Sequence, residues 1–95
     1  NYTAQSPVSI DDTVDGTEIL AAGTSHRYVI IRITGEETFI SLGANPTTTN
    51  YAIKLIQGVD LVDWLVNTQQ LKAICAASKT STVNIWTAPI VSINV

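Results

Sequence analysis

The sequence has little of what catalytic, metal-binding and nucleic-acid-binding proteins need. Its 95 residues contain no methionine, one cysteine and one histidine. Only 14% of them are charged, whereas about 25% is usual in globular proteins. The five basic residues are scattered, and phosphate binding requires basic side chains clustered in one stripe. We therefore expect no nucleic-acid partner.

The single cysteine excludes an internal disulfide. Cys75 lies in an apolar stretch, residues 71–77, which predicts a small buried side chain. A catalytic thiol would need a nearby histidine and a positive potential. No apolar run approaches the roughly 20 residues of a membrane helix, and no signal peptide is visible. We expect no membrane partner and assembly in a reducing cytoplasm.

Motifs of catalysis and of cofactor binding are missing as well. Ser25 and His26 are residue types that occur in a hydrolase catalytic triad, but the chain has no Gly-x-Ser-x-Gly turn. Asp11, Asp12 and Asp15 lack the alternating spacing of a calcium loop. There is no glycine-rich phosphate loop and no Cys/His metal spacing. We predict no catalytic residue, no cofactor and no metal, so the chain is not expected to be an enzyme.

What the chain has in abundance is β-branched side chains: nine valines, twelve isoleucines and thirteen threonines. Such side chains are stiff at χ1 and fit a pleated sheet better than a helix. Short apolar segments recur between turns rich in Gly, Pro, Asn and Ser. The length allows one domain. This pattern predicts an all-β fold, a single antiparallel β-sandwich of jelly-roll or immunoglobulin-like type with seven to nine short strands.

The clearest predicted strand covers residues 27–33. Alternation along it separates inward from outward side chains. The side chains predicted to point inward are Val29, Ile31 and Ile33. Those predicted to point outward are Tyr28, Ile30 and Arg32. We expect residues 38–42 to return as its hairpin partner after a tight turn containing Gly35.

Four further segments belong to the predicted sandwich. Residues 71–77 and 82–86 are expected to form a second hairpin, with Val83 on the core side. Residues 59–66 fit either a strand or a short helix, and we interpret them as extended. Residues 90–95 are predicted to be the last strand, because apolar side chains alternate along them.

The N-terminal residues differ in composition from the remainder. Residues 1–16 are polar and turn-like, and their few apolar groups cannot offset an ordering cost of roughly 1–2 kcal/mol per residue. We therefore divide the chain into an extended N-terminal arm, residues 1–16, and a β-sandwich domain, residues 17–95. The arm is expected to become ordered only when it binds a partner.

Several predicted strands are apolar on both faces, which one small sandwich cannot bury completely. Monomers rarely expose large apolar patches, so the surplus predicts a protein interface. The expected interface residues are Tyr28, Ile30 and Trp86. For Trp86 two alternatives stay open, a partly buried core position and a platform on which a sugar stacks. Trp64 is expected to belong to the core.

Over residues 20–87 the chain resembles small virion structural proteins of tailed bacteriophages. The resemblance is carried by strand, turn and small-residue patterns, not by a catalytic signature. The segments that carry it are Ala21-Ala22-Gly23 before Arg27, the turn Thr34-Gly35, Phe39-Ile40-Ser41-Leu42-Gly43, Tyr51-Ala52-Ile53-Lys54-Leu55, Leu71-Lys72-Ala73-Ile74-Cys75-Ala76 and Thr82-Val83-Asn84-Ile85.

The resemblance implies a non-enzymatic β-sandwich that stabilises a phage head as a capsid cement or decoration protein by bridging subunits. Two alternatives are kept: a neck, tail or fibre component, including one that faces a receptor, and a small carbohydrate-binding module. The implied partners are the major capsid protein or other virion proteins and further copies of the chain. The implied location is the virion, assembled in the host cytoplasm. An extended N-terminal arm is common among cement proteins.

Overall fold

Short alternating segments form nine strands in the computed structural model, which describes residues 2–23, 27–66 and 68–89. The strands are β1 (Thr3–Ala4), β2 (Val8–Ile10), β3 (Thr17–Leu20), β4 (Arg27–Gly35), β5 (Thr38–Leu42), β6 (Ile53–Leu55), β7 (Leu61–Val66), β8 (Leu71–Ile74) and β9 (Ser81–Pro89). Within these ranges there is no helix, and hence none of the length and apolar character needed to cross a membrane.

The strands form two sheets in which every pair is antiparallel. The first sheet has five strands: β1 and β2 lie along β9, followed by β4 and then β7. The second sheet has four strands in the order β3, β8, β5, β6. The all-β antiparallel sandwich and the number of strands are confirmed. Residues 59–66 contribute β7, so their interpretation as extended is also confirmed.

The core lies between the two sheets and takes the side chains that alternation predicted. Val29, Ile31 and Ile33 of β4 are buried, and so are Val83 and Ile85 of β9. They belong to one apolar cluster that receives side chains from both sheets. Burial at about 25 cal/mol per Å² of apolar surface is the main force that holds the sheets together.

Cys75 is buried in this core, as predicted, but it does not lie among apolar groups alone. The hydroxyls of Thr38 and Ser81 share a hydrogen bond of 2.6 Å. The Cys75 thiol lies 3.3 Å from the Ser81 oxygen. Because the buried hydroxyls find partners in each other, they avoid the cost of an unpaired polar group in the core.

The two predicted hairpins are wrong, because each connection passes from one sheet to the other. β4 is flanked by β9 and β7, whereas β5 is flanked by β8 and β6. The β8–β9 connection also changes sheets. Gly35 begins the first crossing with a φ of +108°, and a Cβ there would lie 3.0 Å from the Thr80 carbonyl oxygen. Alternation gives the inward face of a strand, but it carries no information about its neighbour.

In the structure, strands within residues 2–16 pair with the sandwich instead of standing apart from it as an arm, and the ordering of this segment on binding stays a prediction. Both β1 and β2 pair with β9, and Gln5 N–H donates to the Ile85 carbonyl at 2.9 Å. The Cys75 N–H donates to the Asp11 carbonyl at 2.9 Å. Ile10 is only 1% exposed and joins the core. Hydrogen bonds to β9 and the burial of Ile10 help to offset the ordering cost of this segment.

Two sequence predictions fall on parts of the chain outside the described residues. The proposed last strand, residues 90–95, is one of them. His26, considered for catalysis, is the other. Trp64 lies on β7 and packs against the core cluster, which confirms its expected position.

Candidate protein interface

The outer face of the first sheet carries a stripe of apolar side chains that alternation turns away from the core. Ile30 of β4 lies opposite Trp86 of β9, and Tyr28 lies opposite Ala88. Residues directly opposite in an antiparallel pair share a face, so these four side chains are neighbours. Tyr28 is 36% exposed, and Ile30 and Trp86 are half-buried. We call this group, together with Arg32, the outer stripe.

An arginine–carboxylate pair holds a cation at one end of the outer stripe. Arg32 Nε donates to Asp60 Oδ1 at 3.0 Å, and Arg32 Nη2 donates to Asp60 Oδ2 at 2.8 Å. The guanidinium carbon lies 5.8 Å from the centre of the Trp86 ring. Two parallel hydrogen bonds fix the guanidinium plane, and a cation over the indole face is attracted by the ring.

The electrostatics of this pair follow from its hydrogen bonds. The bonds donated by Arg32 lower the pKa of Asp60 below its ordinary 3.8, with the charge of the guanidinium adding to the effect. The same bonds raise the pKa of Arg32 above its ordinary value. Both groups are in contact with solvent, so the pair orients the arginine more than it stabilises the fold.

The structure brings together the three residues that the sequence predicted for an interface. Tyr28, Ile30 and Trp86 lie on one face of two adjacent strands. Their use in binding stays a prediction. Sequence reasoning missed Asp60, because 28 residues separate it from Arg32 and it follows a turn, where an aspartate is ordinary. Arg32 itself was visible, since it continues the outward alternation of β4.

The outer face of the second sheet is different, because the chain itself covers it. Phe39 points away from the core cluster, yet it is only 5% exposed. The Tyr51 ring lies edge-on to it, with ring centres 5.0 Å apart. Tyr51 belongs to the long connection between β5 and β6, which also buries Pro46. The Phe39 ring on this face is therefore buried by other residues of the same chain.

The acidic residues near the N-terminus serve turns in the structure. Asp11 accepts a hydrogen bond from the Thr13 N–H at 2.9 Å and another from the Thr13 hydroxyl, which lower the pKa of Asp11. Asp12 accepts from the Ser78 N–H at 3.1 Å. Among the described residues, no three His, Cys, Asp or Glu side chains lie close enough together to hold a metal ion.

The structure has several open depressions on its surface. One, of about 400 Å³, is lined mainly by serine and threonine residues where β2, β4 and β9 meet. A smaller one, of about 210 Å³, lies beside Tyr51, Asn45 and Asn50. Neither depression includes a residue of the outer stripe. A surface outside a concave pocket suits a protein partner better than a small molecule.

No protein-family model matches this chain, and neither does any curated protein or solved structure. Function must therefore be argued from the surfaces of the chain itself.

Proposed function

We propose that this chain is a non-enzymatic protein-binding module that attaches to its partner through the outer stripe. The observation that carries the proposal is the placement of Tyr28, Ile30 and Trp86 side by side on an outer sheet face. Tyr28 is 36% exposed and Ile30 and Trp86 are half-buried, whereas Phe39 beneath Tyr51 is only 5% exposed. A second protein surface would complete the burial that these side chains begin.

The residue types of the outer stripe favour protein binding. Tryptophan, tyrosine and arginine are the side chains most enriched where binding energy concentrates. Arg32 is already held by Asp60 and by the Trp86 ring, so little of its rotamer freedom remains to be lost on binding. A flat apolar centre with a charged rim is the usual anatomy of such an interface.

Within this class we propose the role of a capsid cement or decoration protein in the head of a tailed bacteriophage. The resemblance of residues 20–87 to small virion proteins supports this role, and so does the antiparallel sandwich. The partner would be the major capsid protein or another virion protein. The chain would then act in the virion, after assembly in the host cytoplasm, by bridging neighbouring subunits.

Particle fractionation tests this role. Particles from a lysate of the source are separated on a density gradient, and the chain is detected with an antibody. We expect it to sediment with complete particles in a constant ratio to the major capsid protein. A ratio close to one chain per capsid subunit or per symmetry axis indicates a cement protein, and a few copies per particle indicate the neck, tail or fibre. Recovery of the chain from the free-protein fractions alone contradicts both.

Sugar binding is a second candidate function, and the surface that favours it lies away from the outer stripe. The depression of about 210 Å³ offers the exposed ring of Tyr51 beside the amides of Asn45 and Asn50. An aromatic platform with amide hydrogen-bonding groups suits a sugar ring. A glycan array tests this directly: binding that Tyr51→Ala abolishes and Trp86→Ala preserves would support it. The absence of any binding to the array would reject it.

A further inference from the structure

The four sheet edges of this sandwich are not equally protected against pairing with another strand. Two edges belong to the first sheet, β7 on one side and β1 with β2 on the other. The second sheet ends in β3 and β6. An unprotected edge strand is a template for a further strand, and natural proteins block it with short strands, lysine, proline or irregular pairing.

Three of the edges carry such protection. β1 and β2 have two and three residues and are separated by a segment that contains Pro7. β3 has four residues, and its register shifts between Glu18 and Leu20. β6 has three residues, with the exposed Lys54 at its centre. None of these edges offers more than a few consecutive hydrogen-bonding positions.

The edge formed by β7 is longer and less protected. It has six residues, Leu61–Val66, with no proline, lysine or arginine. In the described chain β7 pairs with β4 alone. Its register against β4 shifts between Val29 and Ile31, so one irregular step lies in its first half and the second half pairs regularly.

Exposed apolar side chains concentrate at the same place. Six large apolar side chains are exposed among the described residues, and three of them fall within residues 56–62. They are Ile56, Val59 and Val62, of which Val62 is 60% exposed. They occupy the connection from β6 to β7 and the start of β7 itself. Backbone groups and apolar side chains are thus offered together, which suits the addition of a strand.

We propose that the open edge of β7 pairs with β7 of a second copy of this chain, so that two five-stranded sheets become continuous across a twofold axis. Antiparallel pairing of an identical strand is self-complementary, as a twofold interface requires. Full overlap of six residues centres the axis between Asp63 and Trp64, so Asp63 lies opposite Trp64 of the second copy. The two aspartates are therefore not placed directly opposite each other, where like charges destabilise a sheet.

The charges beside this edge also favour a second copy over a strongly charged partner. Asp60, which precedes β7, is paired with Arg32 at 2.8 Å, and Lys54 of the edge strand β6 in the second sheet lies 3.8 Å from Glu37. Two copies would meet with their flanking charges already paired, although the whole chain carries a net charge of −3. The proposed pairing does not depend on the outer stripe or on a virion role.

Sedimentation equilibrium over a concentration series tests the pairing. The variants are Val62→Lys and, as a matched control, Val14→Lys, since Val14 is 82% exposed in the turn between β2 and β3. We expect a concentration-dependent dimer for the natural sequence and for Val14→Lys. Val62→Lys should weaken association at least about tenfold, because it places a lysine on the edge. Its unfolding midpoint, measured on the dilute monomer, should not fall.

Two outcomes would overturn the proposal. One is a natural chain that stays monomeric up to about 1 mM. The other is a dimer that Val62→Lys leaves intact, which would place the contact elsewhere, for example on the outer stripe. Amide hydrogen exchange adds an independent reading: protection of β7 amides should rise with protein concentration. Protection that does not change with concentration means that no second copy covers the edge, and it too contradicts the proposal.

Discussion

The two outer faces of the sandwich each carry a large aromatic ring, but only one of these rings is covered by the chain. On the second sheet, Phe39 is 5% exposed beneath Tyr51. On the first sheet, Trp86 stays half-buried, with Arg32 as its cationic neighbour. The difference separates two uses of an outward aromatic residue. A covered ring stabilises its own domain, and a half-covered ring keeps apolar surface for another molecule.

The largest expected effect concerns the covered face. Phe39→Ala should lower the free energy of unfolding by about 3–5 kcal/mol, the usual range for removing a buried phenylalanine. Urea unfolding followed by circular dichroism measures it. Phe39→Leu, which keeps most of the volume, is the control and should cost less than about 1.5 kcal/mol. A loss below about 1 kcal/mol for Phe39→Ala would mean that the cover of residues 43–52 is not firmly packed.

Trp86→Ala should affect attachment to the partner more than it affects the stability of the fold. It should cost less unfolding free energy than Phe39→Ala, because Trp86 is only partly buried whereas Phe39 is 5% exposed. Attachment to the partner should weaken by at least about 2 kcal/mol, as for a central interface tryptophan. The first quantity is measured by urea unfolding, the second by the fraction of chain that sediments with particles. Strong destabilisation with unchanged attachment would assign Trp86 to the core, which is one of the alternatives weighed for it from the sequence.

The arginine pair should show a smaller effect, visible as a pH dependence. The pKa of Asp60 lies below 3.8 because Arg32 donates two hydrogen bonds to it. Because the folded pKa is depressed, the stabilisation by the pair is complete above the unfolded value near 3.8 and is lost as the pH falls through the folded value. Arg32→Gln should move the pKa of Asp60 upward in an NMR titration of the side-chain carboxyl groups. An unchanged pKa would show that the two side chains are not paired in solution.

The sequence predicted the faces of the strands better than it predicted their neighbours. A period of two made Val29, Ile31 and Ile33 core residues and placed Tyr28 and Ile30 outside, and the structure agrees. The same period could not show that the turn at Gly35 leads to the other sheet. Partner strands depend on contacts between residues far apart in the chain, which a local pattern does not contain.

The N-terminal residues and the outer stripe show the same limit. Ile10 of the predicted arm is buried and Val8 packs against the core, but two apolar residues in a polar segment were too few to predict that it joins the sandwich. The outward position of Trp86 followed from its phase relative to Val83 and Ile85. The contact between Tyr51 and Phe39 and the hydrogen bonds between Arg32 and Asp60 could not be predicted from local sequence. The two partners are 12 residues apart in the first pair and 28 in the second.

A pair of tyrosines tests the central claim, that the outer stripe binds a partner while the covered face does not. Tyr28 and Tyr51 are 36% and 39% exposed and lie on opposite outer faces, so their alanine variants are matched in residue type and exposure. The measurement is the fraction of each variant that sediments with purified particles, relative to the natural chain. We predict that Tyr28→Ala is released and that Tyr51→Ala is retained, provided that both variants are folded by circular dichroism. Retention of both variants, or release of Tyr51→Ala alone, would contradict the claim.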